Sequence, residues 1–313
     1  MSELVRPYRE SDASELAELF NAAAQSYGGE ARYLPSRVRA LMDGLVVDHA
    51  TDTRMMFAPD GSLIASATVP TPPEGTDWVR IVGAVRPDRQ GQSLGADLLA
   101  WQMDRLAQIH DRLDPSRPWR VEVACDNRDI RSARLYEGHG FTPVRYWSEM
   151  EMSTKDVSAQ PLADGLRSVP YRSETLAAFY EAFAEAFADQ WGFARGDAAS
   201  WAAITVELPE YRADLSRVAY DGDEIAGYVL SAEAIDDGTL IIKNVGTRPR
   251  WRGRGIASAL ITEVLCAAAA GGKQVAELSV DTQNPTGAAG LYGRIGFVET
   301  ASETSFAKVV PAL

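Results

Sequence analysis

Cysteine and histidine are scarce in this chain, with 2 and 3 among its 313 residues. Cys125 and Cys266 stand far apart, so neither a disulfide framework nor a zinc-ligand spacing can be built from them. His49, His110 and His139 share no spacing suited to a metal or a catalytic triad, and no metal is expected. Positive charge is also short: 31 Lys and Arg against 44 Asp and Glu leave a formal net charge of −13. That balance excludes a nucleic-acid backbone as partner, since neutralising phosphates needs a basic face. No window approaches the roughly 18 uninterrupted apolar residues of a membrane span, and the opening MSELVRPYRESDASEL has no apolar run behind its charges. Neither a membrane span nor a leader is expected, and with so little cysteine the reducing cytoplasm is the expected location.

What the chain does have is ordinary globular composition, 46% hydrophobic and 24% charged, and enough length for two domains of about 150 residues. It also repeats itself. Thr247 to Ile261, TRPRWRGRGIASALI, matches Val85 to Leu99, VRPDRQGQSLGADLL, with Gly95 and Ala257 162 positions apart. Val280 to Phe297, VDTQNPTGAAGLYGRIGF, matches Cys125 to Phe141, CDNRDIRSARLYEGHGF, with Tyr136 and Tyr292 156 positions apart. Two elements repeated in the same order at nearly one offset indicate a duplicated domain, because solenoid periods are far shorter. The expected division is 1–155, a linker over 156–170, and 171–313.

The local patterns describe the same plan twice. In the first half a strand at Leu4 precedes a helix whose capping box pairs Asp12 with Glu15. A hairpin turning at Asp60-Gly61 leads to a strand over Trp78–Val85, the Arg/Gly turn and a long helix from Leu94 to His110. In the second half helices over Glu174–Asp189 and Asp197–Val206 precede a hairpin turning at Gly222. A strand over Thr239–Thr247 then enters the turn before a helix over Ile256–Ala270, stopped by Gly271-Gly272. The fold class expected is α+β, or mixed α/β, with a mainly antiparallel sheet flanked by helices in each half. The turn Gly253 to Ala257 matters most. Two glycines before a helix expose the unpaired amides of its first turn, and Arg250, Arg252 and Arg254 add charge, a combination suited to a phosphate, against the equally common reading of such a sequence as a surface loop. A Rossmann site would need a third glycine and a parallel βαβ unit, whereas this strand follows a hairpin.

Both halves resemble the GCN5-related N-acetyltransferase (GNAT) fold, and the whole chain resembles the two-domain, mycothiol-synthase-like members of that family. The second half matches the family motif at Arg252-Gly253-Arg254-Gly255-Ile256-Ala257. The first half departs from it, with Gln90 opening the motif and Ser93 where glycine is wanted. The resemblance implies acetyl-CoA, or another acyl-CoA, as co-substrate, its pyrophosphate on that turn. It further implies that Val245, Gly246 and Thr247 meet the pantetheine arm, that Asn284 helps place the cofactor, and that the Tyr292 phenol returns a proton to the departing thiolate. The bland alternative for a tyrosine on an amphipathic helix is packing with a wet tip, and it weighs more heavily on Tyr136 than on Tyr292.

One residue of the family pattern is missing. The acid expected four residues before the pantetheine-binding strand end is Ile241 here and Val79 in the first half. Among the acids at the preceding turn, Glu233, Asp236 and Asp237, Glu233 is the best candidate base, and a water chain or an amine arriving neutral is the alternative. Trp191, Phe193 and Trp201 are candidates to line an acceptor pocket, against the more common reading that aromatics at such spacing are core. The expected activity is N-acyl transfer from acyl-CoA to the primary amine of a small metabolite, with the second half catalytic and the first degenerate. The alternatives are an acyl carrier protein as donor, or a CoA-binding sensor without turnover.

Overall fold

The computed structural model describes residues 4–29, 33–45, 48–72, 77–193, 195–234 and 238–312. Asp236 and Asp237 lie outside the described residues. The chain forms two compact units, one of residues 1–145 with 303–313 and the other of residues 146–302.

The first unit runs β1 (Leu4–Arg6), α1 (Ala13–Ser26), α2 (Pro35–Leu45), α3 (His49–Asp52), β2 (Thr53–Phe57), β3 (Leu63–Thr68), β4 (Trp78–Arg80), β5 (Val82–Val85), α4 (Leu94–Leu113), β6 (Trp119–Asp126) and α5 (Ile130–Gly138). Strands β1, β2, β3 and β5 pair in that order, all antiparallel. The expected capping box does not form. Arg6 takes both oxygens of the buried Asp12 carboxylate at 2.6 and 2.8 Å, so the side chain bridges strand and helix instead of capping. The strand expected over Trp78–Val85 is two. β4 pairs in parallel with β6 as far as Arg80 and Glu122, Ile81 donates its amide to the Glu122 carbonyl, and from Val82 the chain pairs with β3 instead.

The second unit contains β7 (Thr142–Ser153) from Tyr146 onward, β8 (Leu166–Pro170), α6 (Leu176–Phe187), α7 (Ala198–Ala203), β9 (Arg217–Asp221), β10 (Glu224–Glu233), β11 (Thr239–Thr247), α8 (Ile256–Ala270), β12 (Val275–Asp281), α9 (Ala288–Ile295) and the start of β13 (Val298–Val310). Its strands pair in the order β7-β12-β11-β10-β9-β8, with only β11 and β12 parallel. β10 feeds two cores, its period-2 alternation stepped once by the register shift against β9 between Ile225 and Gly227. Ala226 and Val229 join Ile256, Leu260 and Val264 of α8, while Tyr228 and Leu230 join Phe179 of α6 and Trp201 of α7.

The compact units do not follow the contiguous halves expected from the repeat. Residues Trp147 to Ser153 of β7 pair with β12, and residues Glu303 to Val310 of β13 pair with β6. Each unit is completed by a strand from the other half of the sequence. A repeat identifies duplicated elements, but which edge a closing strand joins is a tertiary choice that its local pattern does not encode. The expected linker is also partly built in: Gln160 donates its amide to Thr262 Oγ1 at 2.9 Å, Val157 and Leu162 pack on the core, and β8 ends the segment.

Candidate active site

The site begins where two parallel strands part. β11 pairs with β12 only from Thr239↔Val275 to Ile241↔Glu277, yet it stays paired with β10 as far as Thr247. A bulge marks the divergence. The β10 register shifts between Leu230 and Ser231, leaving Lys243 as the extra residue on β11, one position after Ile242. Bulges bend and twist a strand, which turns the end of β11 away from β12. Lys243 to Thr247 therefore border a wedge, with no ladder partner on the β12 side among the described residues. An open strand edge of this kind accepts an extended, amide-bearing chain as an added strand.

The end of β11 leads directly into the glycine turn. Gly253 and Gly255 have φ of +78° and +73°, and a Cβ at either would meet no protein atom within 4 Å. Glycine is thus required by the backbone, and the space beside it is left open. The first helical bond of α8 is from the Ala259 amide to the Gly255 carbonyl, so the amides of Ile256, Ala257 and Ser258 precede the ladder and remain donors. Trp251, 2% exposed, anchors the turn by donating Nε1–H to Asp221 at 2.9 Å.

The arginines around the turn are engaged with protein. Arg252 donates to the Thr247 and Ala186 carbonyls, both at 3.2 Å, and pairs with Asp189 at 2.9 Å, clamping the turn to the strand end and to α6. Arg250 pairs with Glu224 and lies 3.7 Å over the Trp251 ring, and Arg254 pairs with Asp221 at 3.5 Å. Their bonds shape the turn, and the donors left free beside it are the backbone amides of Ile256, Ala257 and Ser258.

Two residues the sequence reading missed make this packing possible. A Cβ on Gly227 would lie 2.9 Å from the Gly246 carbonyl oxygen and 3.0 Å from Ile256 Cγ2, so glycine there lets the start of α8 seat against the sheet. On the opposite face Tyr228 covers Gly246. A glycine inside an otherwise apolar strand pattern is the signal that marks such close approaches.

Tyr292 on α9 is 7% exposed and shares a core with Ile256 and Val280, against which Val245 also packs. Burial pushes its phenol up to about 12, so it stays protonated throughout the neutral range. Asn284 is half-buried, and its Oδ1 accepts from the Thr286 amide and hydroxyl at 2.9 and 2.7 Å, fixing the turn before α9. In the first unit Tyr136 packs between Phe141 and Phe306, ring centroids 6.2 and 5.7 Å away.

Glu233 lies elsewhere. It pairs in register with Leu240, five residues before Val245, which puts it about 17 Å of strand away from the wedge. Its carboxylate is held by Arg212 and Lys273. The structure separates it from the other site residues, because Glu233 ends β10 beside the start of β11, whereas the wedge borders the end of β11. The aromatic candidates divide similarly. Trp201 is a core residue, its centroid 5.6 Å from Phe179, and Phe193 packs edge-on to Phe183 at 6.0 Å. Trp191 is half-buried after α6. Trp201 and Phe193 thus build the core beneath α6.

Residues 214–299, which span the wedge, the glycine turn and Tyr292, match the acetyltransferase (GNAT) domain family. Along its full length the chain has the fold of solved GNAT proteins, a tandem one among them. A GCN5-related N-acetyltransferase from Sphaerobacter thermophilus is 27% identical with a TM-score of 0.88, the match covering 99% of this chain and 96% of that one. A tandem GNAT protein from the clavulanic acid biosynthesis pathway is 13% identical with a TM-score of 0.72, covering 100% and 99%. No curated protein sequence matches the chain. Among the described residues no group of three His, Cys, Asp or Glu is placed to hold a metal, and no helix is long and apolar enough to cross a membrane.

Proposed function

We propose that the second unit transfers an acetyl or related acyl group from a CoA thioester to the primary amine of a small metabolite. The observation that carries this reading is the junction of the β11–β12 wedge with the glycine turn at the start of α8. The strand edge Val245–Thr247 suits the amide-bearing pantetheine arm, and the amides of Gly253 to Ala257 suit the pyrophosphate. A backbone amide of that edge polarises the thioester carbonyl. The amine nitrogen bonds to the carbonyl carbon, the C–S bond breaks, and Tyr292 gives its proton to the thiolate while the amine loses one to water. No covalent enzyme intermediate is required. An acyl carrier protein would use the wedge alone and leave the turn without a task, which favours CoA.

The first unit is proposed as non-catalytic. Its turn departs from the motif at Gln90 and Ser93, and the Gln90 side chain accepts from Arg131 at 3.1 Å. A screen of primary amines by thiol release from acetyl-CoA tests the assignment. Turnover that depends on the second unit supports it. Binding of acetyl-CoA without turnover by any amine would make the protein a CoA-binding sensor.

A further inference from the structure

Lysine is rare in this chain, at positions 155, 243, 273 and 308, and Lys243 stands on the wedge. It is the extra residue of the β11 bulge, and no β12 residue pairs with it among the described residues. The sheet around it is packed on both faces. Ile242 and Val245 join the core beneath α8, while Leu230 and Tyr228, opposite Asn244 and Gly246, join the core beneath α6. Lys243 is nevertheless exposed, and the edge that β12 has left is the way open to its side chain. Lys273 is buried and paired with Glu233, and Lys308 donates to the His139 carbonyl at 2.8 Å, whereas no such bond holds the Lys243 ammonium among the described residues. Its arm of four methylenes spans about 6 Å, and two residues of strand set it about 7 Å from Val245. Lys243 thus brings a primary amine within reach of that strand edge.

We infer that Lys243 is a self-acylation site, which takes the acyl group when no acceptor amine is present. This rests on the proposal that the edge Val245–Thr247 holds acyl-CoA. With the pyrophosphate on the turn that follows Thr247, the thioester lies toward Val245 and Lys243. The neutral Nζ bonds to the carbonyl carbon, the C–S bond breaks, the thiolate takes a proton from Tyr292, and the nitrogen gives one to water. The product is an amide, and the positive charge at the wedge is lost. An amine held beside the thioester reacts far faster than one that must meet it from solution. Lys155 provides the comparison within the same chain. It is exposed and follows Ser153, which pairs with Val275 at the start of β12, beyond the closed end of the wedge.

The test is incubation of the full chain with acetyl-CoA and no added amine, followed by mass spectrometry of its peptides. Lys243 should be acetylated at least about tenfold faster than Lys155. Excess desulfo-CoA, which fills the site without an acyl group, should slow Lys243 to the rate of Lys155. Equal rates at the two lysines, in protein that binds acetyl-CoA by calorimetry, overturn the inference. A fast rate at Lys243 that desulfo-CoA leaves unchanged overturns it as well. Failure of acetyl-CoA to bind at all would instead overturn the reading on which the inference rests, and the inference with it.

Discussion

Ser93 and Gly255 hold the same left-handed backbone conformation, φ +65° and +73°, each at the N-cap of its unit's long helix. Glycine adopts it freely, while a residue with a Cβ is strained by about 1 kcal/mol or somewhat more. Ser93 is exposed, so the strain lies in its backbone and not in a clash of its side chain. Ser93→Gly should stabilise the protein by up to about 1 kcal/mol, the freer unfolded chain offsetting part of the relief. Urea unfolding measures this, and a clear loss of stability would contradict it.

Tyr228 makes a second stability prediction. A buried hydroxyl without a partner costs about 1–3 kcal/mol, and Tyr228→Phe removes it without changing the ring. Unfolding experiments should find the variant as stable as wild type or more so. A loss above about 1 kcal/mol would reveal a hydrogen bond to that oxygen.

Much of this was legible in the sequence, for identifiable reasons. Gly253, Gly255 and the helix from Ile256 impose a local conformation that needs no tertiary partner, and duplication of the turn and of Tyr136 and Tyr292 revealed the repeated plan. What escaped was non-local. The exchange of β7 and β13 depends on which edge each strand joins, and the parting of β11 from β12 depends on a bulge at Lys243 that leaves no compositional mark. Glu233 was chosen for nearness to a turn, but a hairpin turn and the far end of its strand are about 17 Å apart. The aromatics from Trp191 to Trp201 carry the same pattern in a core as in a pocket, and only packing distinguishes the two.

Tyr292 sets the expected pH behaviour. A general acid acts in its protonated form, and an ordinary phenol near 10 would lose activity as the pH rises through that value. Burial raises Tyr292 to about 12, so its protonated form persists, and the alkaline limb of the pH–rate profile should not fall between pH 9 and about 11 on its account. A Tyr292-dependent fall centred near pH 10 would show that the phenol is not buried in the working enzyme.

Replacing that phenol separates chemistry from binding. Tyr292→Phe should lower kcat by about 10²–10³ with acetyl-CoA affinity changed less than about threefold. Unchanged kcat would return Tyr292 to a packing role in the core it shares with Ile256 and Val280.

The account stands most directly on where acetyl-CoA binds, and calorimetric titration of acetyl-CoA into wild type, Gly255→Val and Ser93→Val measures that. A β-branched residue is incompatible with φ near +70°, so each substitution disrupts one turn. The account predicts one site per chain, lost in Gly255→Val and retained in Ser93→Val. Full binding by folded Gly255→Val, or loss caused by Ser93→Val alone, would contradict it.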